Sequence, residues 1–137
     1  MFYLAGSTVV GPGRRAGIHN FNPVNLNKVK KARYAFYQAG FLNWRWDMPS
    51  LEDGTYMFDH NTALTTFTGS LEKLKDGTNM FSSDSSLTTF VSNLSSLEKA
   101  DNMFNACKLS PESVMYIVDS IKDHGSGNKG IALGINC

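Results

Sequence analysis

Apolar residues in this chain recur on a long, regular interval rather than on the short period of a lone helix or strand. Residues 51–73 read LEDGTYMFDHNTALTTFTGSLEK and residues 74–96 read LKDGTNMFSSDSSLTTFVSNLSS, with eleven of 23 positions identical. A third copy opens as LEKADNMF at Leu97. Equivalent residues therefore form columns: Leu51, Leu74 and Leu97; Met57, Met80 and Met103; Phe58, Phe81 and Phe104. Upstream, Val29, Ala32, Ala35 and Phe36 enter the same frame. Phe41, Trp44 and Met48 take the places of Leu64, Phe67 and Leu71 after a one-residue deletion. Met1-Phe2 reads as the remnant of an earlier copy, set apart by an insertion containing GPGRRAGIHN.

A repeat of this length cannot bury its own apolar face, so each copy needs a neighbour to stack on. The pattern predicts an α/β repeat: a short leucine-rich solenoid of about five coils with a period of 23. At about 4.8 Å per stacked strand such a body is about 24 Å long. The expected organisation is a degenerate N-terminal coil with a basic, Gly-rich loop over 1–25, repeats over 26–109, and a helix-plus-strand cap over 110–137. Leu64-Thr-Thr-Phe67 and Leu87-Thr-Thr-Phe90 supply the β-branched and aromatic residues of a strand. Asn43-Trp44-Arg45-Trp46-Asp47 alternates in the same place. With Trp44, Trp46, Phe67 and Phe90 pointing inward, alternation puts Arg45, Asp47, Thr66, Thr68, Thr89 and Val91 on the outer face. Asp53-Gly54 and Asp76-Gly77 read as turns that reverse the chain. Ser110-Pro111-Glu112 starts a helix, with Ser as N-cap and Pro in the first turn. Val114, Ile117, Val118 and Ile121 give that helix an apolar stripe ending near His124-Gly125. Ile131, Leu133 and Ile135 then suit a closing strand.

The phrase Leu-x-x-Gly/Ala-x-x-Met-Phe, followed by Leu-Thr-Thr-Phe and Leu-x-x-Leu, resembles the BspA-like leucine-rich repeats of bacterial surface proteins. It is also similar to relatives in structural proteins of gut bacteriophages. Clean resemblance covers 51–135, and a weaker form reaches back to about 26. The resemblance implies a non-catalytic array used in adhesion, recognition or virion architecture. It brings no catalytic residues and no cofactor.

Charge adds a second feature. Thirteen basic and twelve acidic residues nearly cancel, but residues 1–46 hold seven basic residues and no acid. All twelve acids and only six lysines follow from Asp47 onward. Such a split suits an anionic partner at one end, or end-to-end association of like molecules. No apolar run approaches the roughly 18 residues of a membrane helix. The apolar start lacks the basic segment that opens a signal peptide.

Candidate chemistry is sparse. Gly11-Pro-Gly13-Arg-Arg-Ala16 fits a relaxed dinucleotide pattern, but Asn20-Phe-Asn-Pro23 blocks the helix that must follow and the first acid is Asp47. His19, His60 and His124 are scattered, with no metal-ligand spacing. Cys107 falls in the slot that holds Asn61 and Asp84 in the other copies, which suits a small side chain satisfying backbone groups in a turn. Cys137 can pair with Cys107 where the last strand lies beside that coil, and is otherwise expected as a free thiol. Asn93-Leu-Ser95 forms a sequon. Lys28, Lys30, Lys31 and Arg33 interleave with Tyr34, Phe36 and Tyr37, a combination that can bind nucleic acid. The repeat frame puts Ala32, Ala35 and Phe36 inside, which disfavours that use. The expected function is a binding or structural module whose outer face (Arg45, Asp47, Thr66, Thr68, Thr89, Val91) meets a protein or cell-surface ligand. The alternative is an anion- or nucleic-acid-binding module using Arg14, Arg15, Lys28, Lys30 and Lys31.

Overall fold

The structure, a computed structural model, describes residues 25–121 and 133–135. Three very short strands, β1 (Asn43–Trp44), β2 (Thr66–Phe67) and β3 (Thr89–Phe90), pair in parallel in the order β1-β2-β3. The pairs are Asn43 with Thr66 and Trp44 with Phe67, then Thr66 with Thr89 and Phe67 with Phe90. One helix follows, α1 (Pro111–Ser120). Isolated parallel bridges join Lys31 to Asp53, Asp53 to Asp76 and Asp76 to Lys99 on another side of the domain.

The five-coil solenoid expected from the repeat is corrected by this architecture. The described residues form a small α/β domain with one open three-stranded parallel sheet and one helix, and no five-coil solenoid is evident. The expected five-residue strand at Asn43–Asp47 shrinks to two residues, as do its counterparts. Most of each repeat is turn and irregular chain instead, because its Gly, Asn, Asp and Ser content favours reversal over extension. No strand forms at Leu133–Ile135. Ile131, the N-terminal segment 1–24, His124 and Cys137 lie outside the described residues.

Turns come in pairs. Met57 N–H donates to Gly54 O (2.9 Å) and Asn61 N–H to Phe58 O (3.1 Å); Met80, Asp84, Met103 and Cys107 repeat the pattern. The third residue of each turn is left-handed although none is glycine: Tyr34, Gln38, Tyr56, His60, Asn79, Ser83, Asn102 and Ala106 all have φ between 52 and 64°. That conformation costs about 1–2 kcal/mol per residue. Its return is a backbone hydrogen bond to the neighbouring repeat, such as Tyr56 N–H to Thr78 O (3.0 Å) and His60 N–H to Ser82 O (2.9 Å). Asp53-Gly54 and Asp76-Gly77 lead into these turns as expected, Gly54 O and Gly77 O accepting from Met57 and Met80 N–H. Their aspartates are ladder positions, and Gly54 N–H donates to Asp76 O (2.9 Å). A Cβ would fall 2.8 Å from Met80 Sδ at Gly54 and 2.9 Å from Met103 Sδ at Gly77, so a larger residue there requires the thioether end of that methionine to shift.

Two aromatic files form the core. Phe58, Phe81 and Phe104 stack at 5.4 and 5.6 Å with planes within 3°. Phe67 and Phe90 stack at 5.3 Å beside them, and the two files meet edge to face at 4.9–5.6 Å. Offset stacks and edge contacts are the arrangements the ring quadrupole favours. Met57, Met80 and Met103 are buried with them, as are Leu51, Leu74 and Leu97.

The helix begins as its sequence requires. Ser110 is the N-cap, its Oγ accepting from Ser113 N–H, and Pro111 occupies the first turn. It stops at Ser120 rather than near His124. Its position covers the β3 edge of the sheet. Lys108 and Ser110 N–H still donate to Leu87 O and Thr88 O, as a fourth strand would. Beyond that point Ser113 Oγ accepts from Phe90 N–H (3.0 Å) and donates to Thr88 O (3.2 Å), while Ser120 Oγ accepts from Leu94 N–H (3.3 Å). Serine hydroxyls thus satisfy backbone groups that β3 would otherwise leave open.

Candidate functional site

The candidate face is built on β1–β3 and the residues just after them. Trp44, Phe67 and Phe90 are fully buried, and this anchors each strand from below. Thr68 N–H donates to Trp44 O and Val91 N–H to Phe67 O, both at 2.9 Å. Arg45, Asp47, Thr68 and Val91 are exposed, whereas Thr66 and Thr89 are half-buried. Arg45 lays its guanidinium over the Trp46 ring at 5.6 Å, a geometry in which the ring face attracts the cation. Asp47 Oδ1 accepts from Ser70 N–H (2.8 Å), which ties the end of one repeat to the next.

Trp46 departs from its expected place. It is half-buried rather than inside, packed against the edge of Trp44 at 5.1 Å, while Trp44 Nε1 donates to Trp46 O (2.9 Å). Gly69 makes this possible, because a Cβ there would collide with Trp46 O and sit 3.0 Å from Trp44 Cδ1.

Alternation also misses one row. Thr65 and Thr88, the first threonine of each Leu-Thr-Thr-Phe phrase, are exposed alongside Leu42 and Asn43. Thr65 Oγ1 donates to Leu42 O and reaches Asn43 Oδ1, both at 3.1 Å. With strands only two residues long, strict two-residue alternation does not extend that far. The shared first threonine of both copies was the available signal.

Lys28, Lys30 and Lys31 are exposed. Lys30 lies 3.8 Å from Glu52, and Arg33 Nε donates to Asp53 Oδ2 at 2.6 Å. Burial alone would raise the Asp53 carboxyl, but hydrogen bonds from Thr55 and Arg33 outweigh it and hold the group below its usual range. Arg14 and Arg15, the other half of the basic alternative, lie outside the described residues, as does His19.

The Asn61, Asp84 and Cys107 slot is buried throughout. Asn61 Nδ2 donates to Phe36 O and Phe58 O, and its Oδ1 accepts from Gly40 N–H (2.8 Å). Cys107 Sγ donates to Phe81 O (3.1 Å). Burial, then the nearby Asp84, pushes the Cys107 thiol far above its ordinary value, so it is a weak nucleophile. Asp59 pairs with His60 Nδ1 at 2.8 Å, and burial raises its carboxyl despite that partner.

Compared with known proteins, the chain matches no family model, no curated protein and no solved structure. Among the described residues, no three His, Cys, Asp or Glu side chains converge as a metal would need. No helix of the described residues is long and apolar enough to cross a membrane.

Proposed function

We propose that this domain is a non-catalytic binding or structural module that presents the face around Arg45, Asp47, Thr66, Thr68, Thr89 and Val91 to a protein or cell-surface ligand. One observation carries the reading: exposed Arg45, Thr68 and Val91 directly follow strands that are paired in register and backed by fully buried Trp44, Phe67 and Phe90, and the Thr68 and Val91 N–H groups are bonded to the neighbouring strand. A face held this way loses little conformational freedom when a partner docks, and preorganisation of that kind favours affinity. The repeat phrases resemble those of BspA-like proteins, and on that ground the proposed setting is a bacterial surface or a phage virion.

Binding of the fluorescently labelled protein to whole bacterial cells tests the reading. The triple variant Arg45→Ala/Thr68→Ala/Val91→Ala is expected to lose about tenfold or more in apparent affinity, the scale of a central contact cluster. Lys28→Ala/Lys31→Ala is expected to bind as the parent does. The reverse result, with binding that collapses on modest addition of salt, would replace this reading with the anion-binding one.

A further inference from the structure

The turn slot shared by Asn61, Asp84 and Cys107 has a consistent chemistry. Its two outer members each direct a hydrogen-bearing atom at a phenylalanine carbonyl of the repeat before: Asn61 Nδ2 at Phe36 O, and Cys107 Sγ at Phe81 O. Register puts Asp84 in the corresponding position, although Phe58 O already accepts from both Asn61 N–H and Asn61 Nδ2. Its backbone side of the slot is filled normally, with Asp84 Oδ1 accepting from Asn61 N–H at 2.7 Å. Its second oxygen, Oδ2, is buried and has no hydrogen-bond partner. An ionised Asp84 would leave this buried oxygen charged with no donor to offset it. A protonated carboxyl removes that buried charge.

The surroundings agree. Among the described residues the ion pairs go to Glu52, Asp53, Asp59 and Asp76, and none reaches Asp84. The titratable neighbours are Asp59 from the preceding repeat, which carries His60 on its other side, and the Cys107 thiol from the following one. We propose that Asp84 is a neutral carboxylic acid in the folded domain, so that folding takes up one proton and the Asp84 contribution to stability grows as pH falls below neutral. Burial pushes this carboxyl well above its ordinary range, with Asp59 adding in the same direction.

The sign follows from linkage. An unfolded Asp releases its proton above about pH 4, whereas the folded one retains it. Between those two values, each pH unit lowers the folding equilibrium constant by up to about tenfold. Asp84→Asn replaces the titratable carboxyl with a neutral amide of the same shape, the group present at Asn61. Urea unfolding of parent and variant from about pH 4.5 to about pH 8 tests this. The expected ratio of folding constants, variant over parent, grows by about tenfold per pH unit across the lower part of that range, until the folded carboxyl ionises. Parallel curves overturn the proposal. Isotope-edited infrared difference spectra of the parent against the variant give a second reading that needs no stability comparison. A neutral carboxylic acid band for Asp84 at about pH 7 supports the proposal, and a carboxylate band overturns it.

Discussion

At the scale of single residues, the slots that matter are those where side-chain size or protonation is dictated by a neighbouring backbone. Gly69 is one. An added methyl meets Trp46 O, which cannot move without disturbing the Trp44 indole bonded to it. Gly69→Ala is expected to destabilise by about 1–3 kcal/mol, the cost of overpacking, and to change the near-UV circular dichroism of the two tryptophans. Unchanged stability would mean the strand can shift freely. Asp53 shows the opposite pH behaviour to Asp84. Its carboxyl is held low by Thr55 and Arg33, so its contribution is present above the ordinary carboxylate range and lost as pH falls through its lowered value. For that reason the Asp84 effect is read as a difference between parent and variant. The polar character of the Asn61, Asp84 and Cys107 slot was legible from aligned copies. The close approach of a methionine to Gly54 and Gly77 was not, because Asp-Gly is a common turn dipeptide and the methionine comes from the next repeat.

At the scale of elements, α1 substitutes for a strand. Its start was written plainly in Ser110-Pro111-Glu112, but its working face was not. The apolar stripe suggested Val118 as a core residue, and Val118 is instead 59% exposed while Ile117 is fully buried. What aligns with Ile117 is Ser113 and Ser120, whose hydroxyls bond the open edge of β3 and the segment after it. A hydrophobicity pattern assigns serines to solvent and so misses them. Ser113→Ala leaves Phe90 N–H buried without its acceptor and is expected to cost about 1–3 kcal/mol in urea unfolding. Ser110→Ala removes the N-cap but leaves the Phe90 contact in place, which separates capping from edge closure.

At the scale of the whole molecule, the 23-residue interval was legible because it recurs in the sequence, and it survives as the pairing register Thr66 with Thr89. The architecture built on that register was not legible. A period specifies which residues are equivalent, but not how much of each repeat extends. Here paired turns, each with one left-handed residue, and irregular segments take most of each repeat, leaving two-residue strands, an open sheet and one helix. The candidate face was correspondingly half-read: Arg45, Asp47, Thr68 and Val91 are exposed, Thr66 and Thr89 are partly covered, and Thr65 and Thr88 were missed. Its value as a recognition surface depends on rigidity despite such short strands. Residue-resolved amide hydrogen exchange measures this directly at Thr68 and Val91, whose N–H groups bond Trp44 O and Phe67 O. The account predicts that both exchange as slowly as the core amides of Phe58 and Phe81, through global unfolding alone. Exchange of Thr68 and Val91 at the rate of an open loop, with Phe58 and Phe81 still protected, would contradict it.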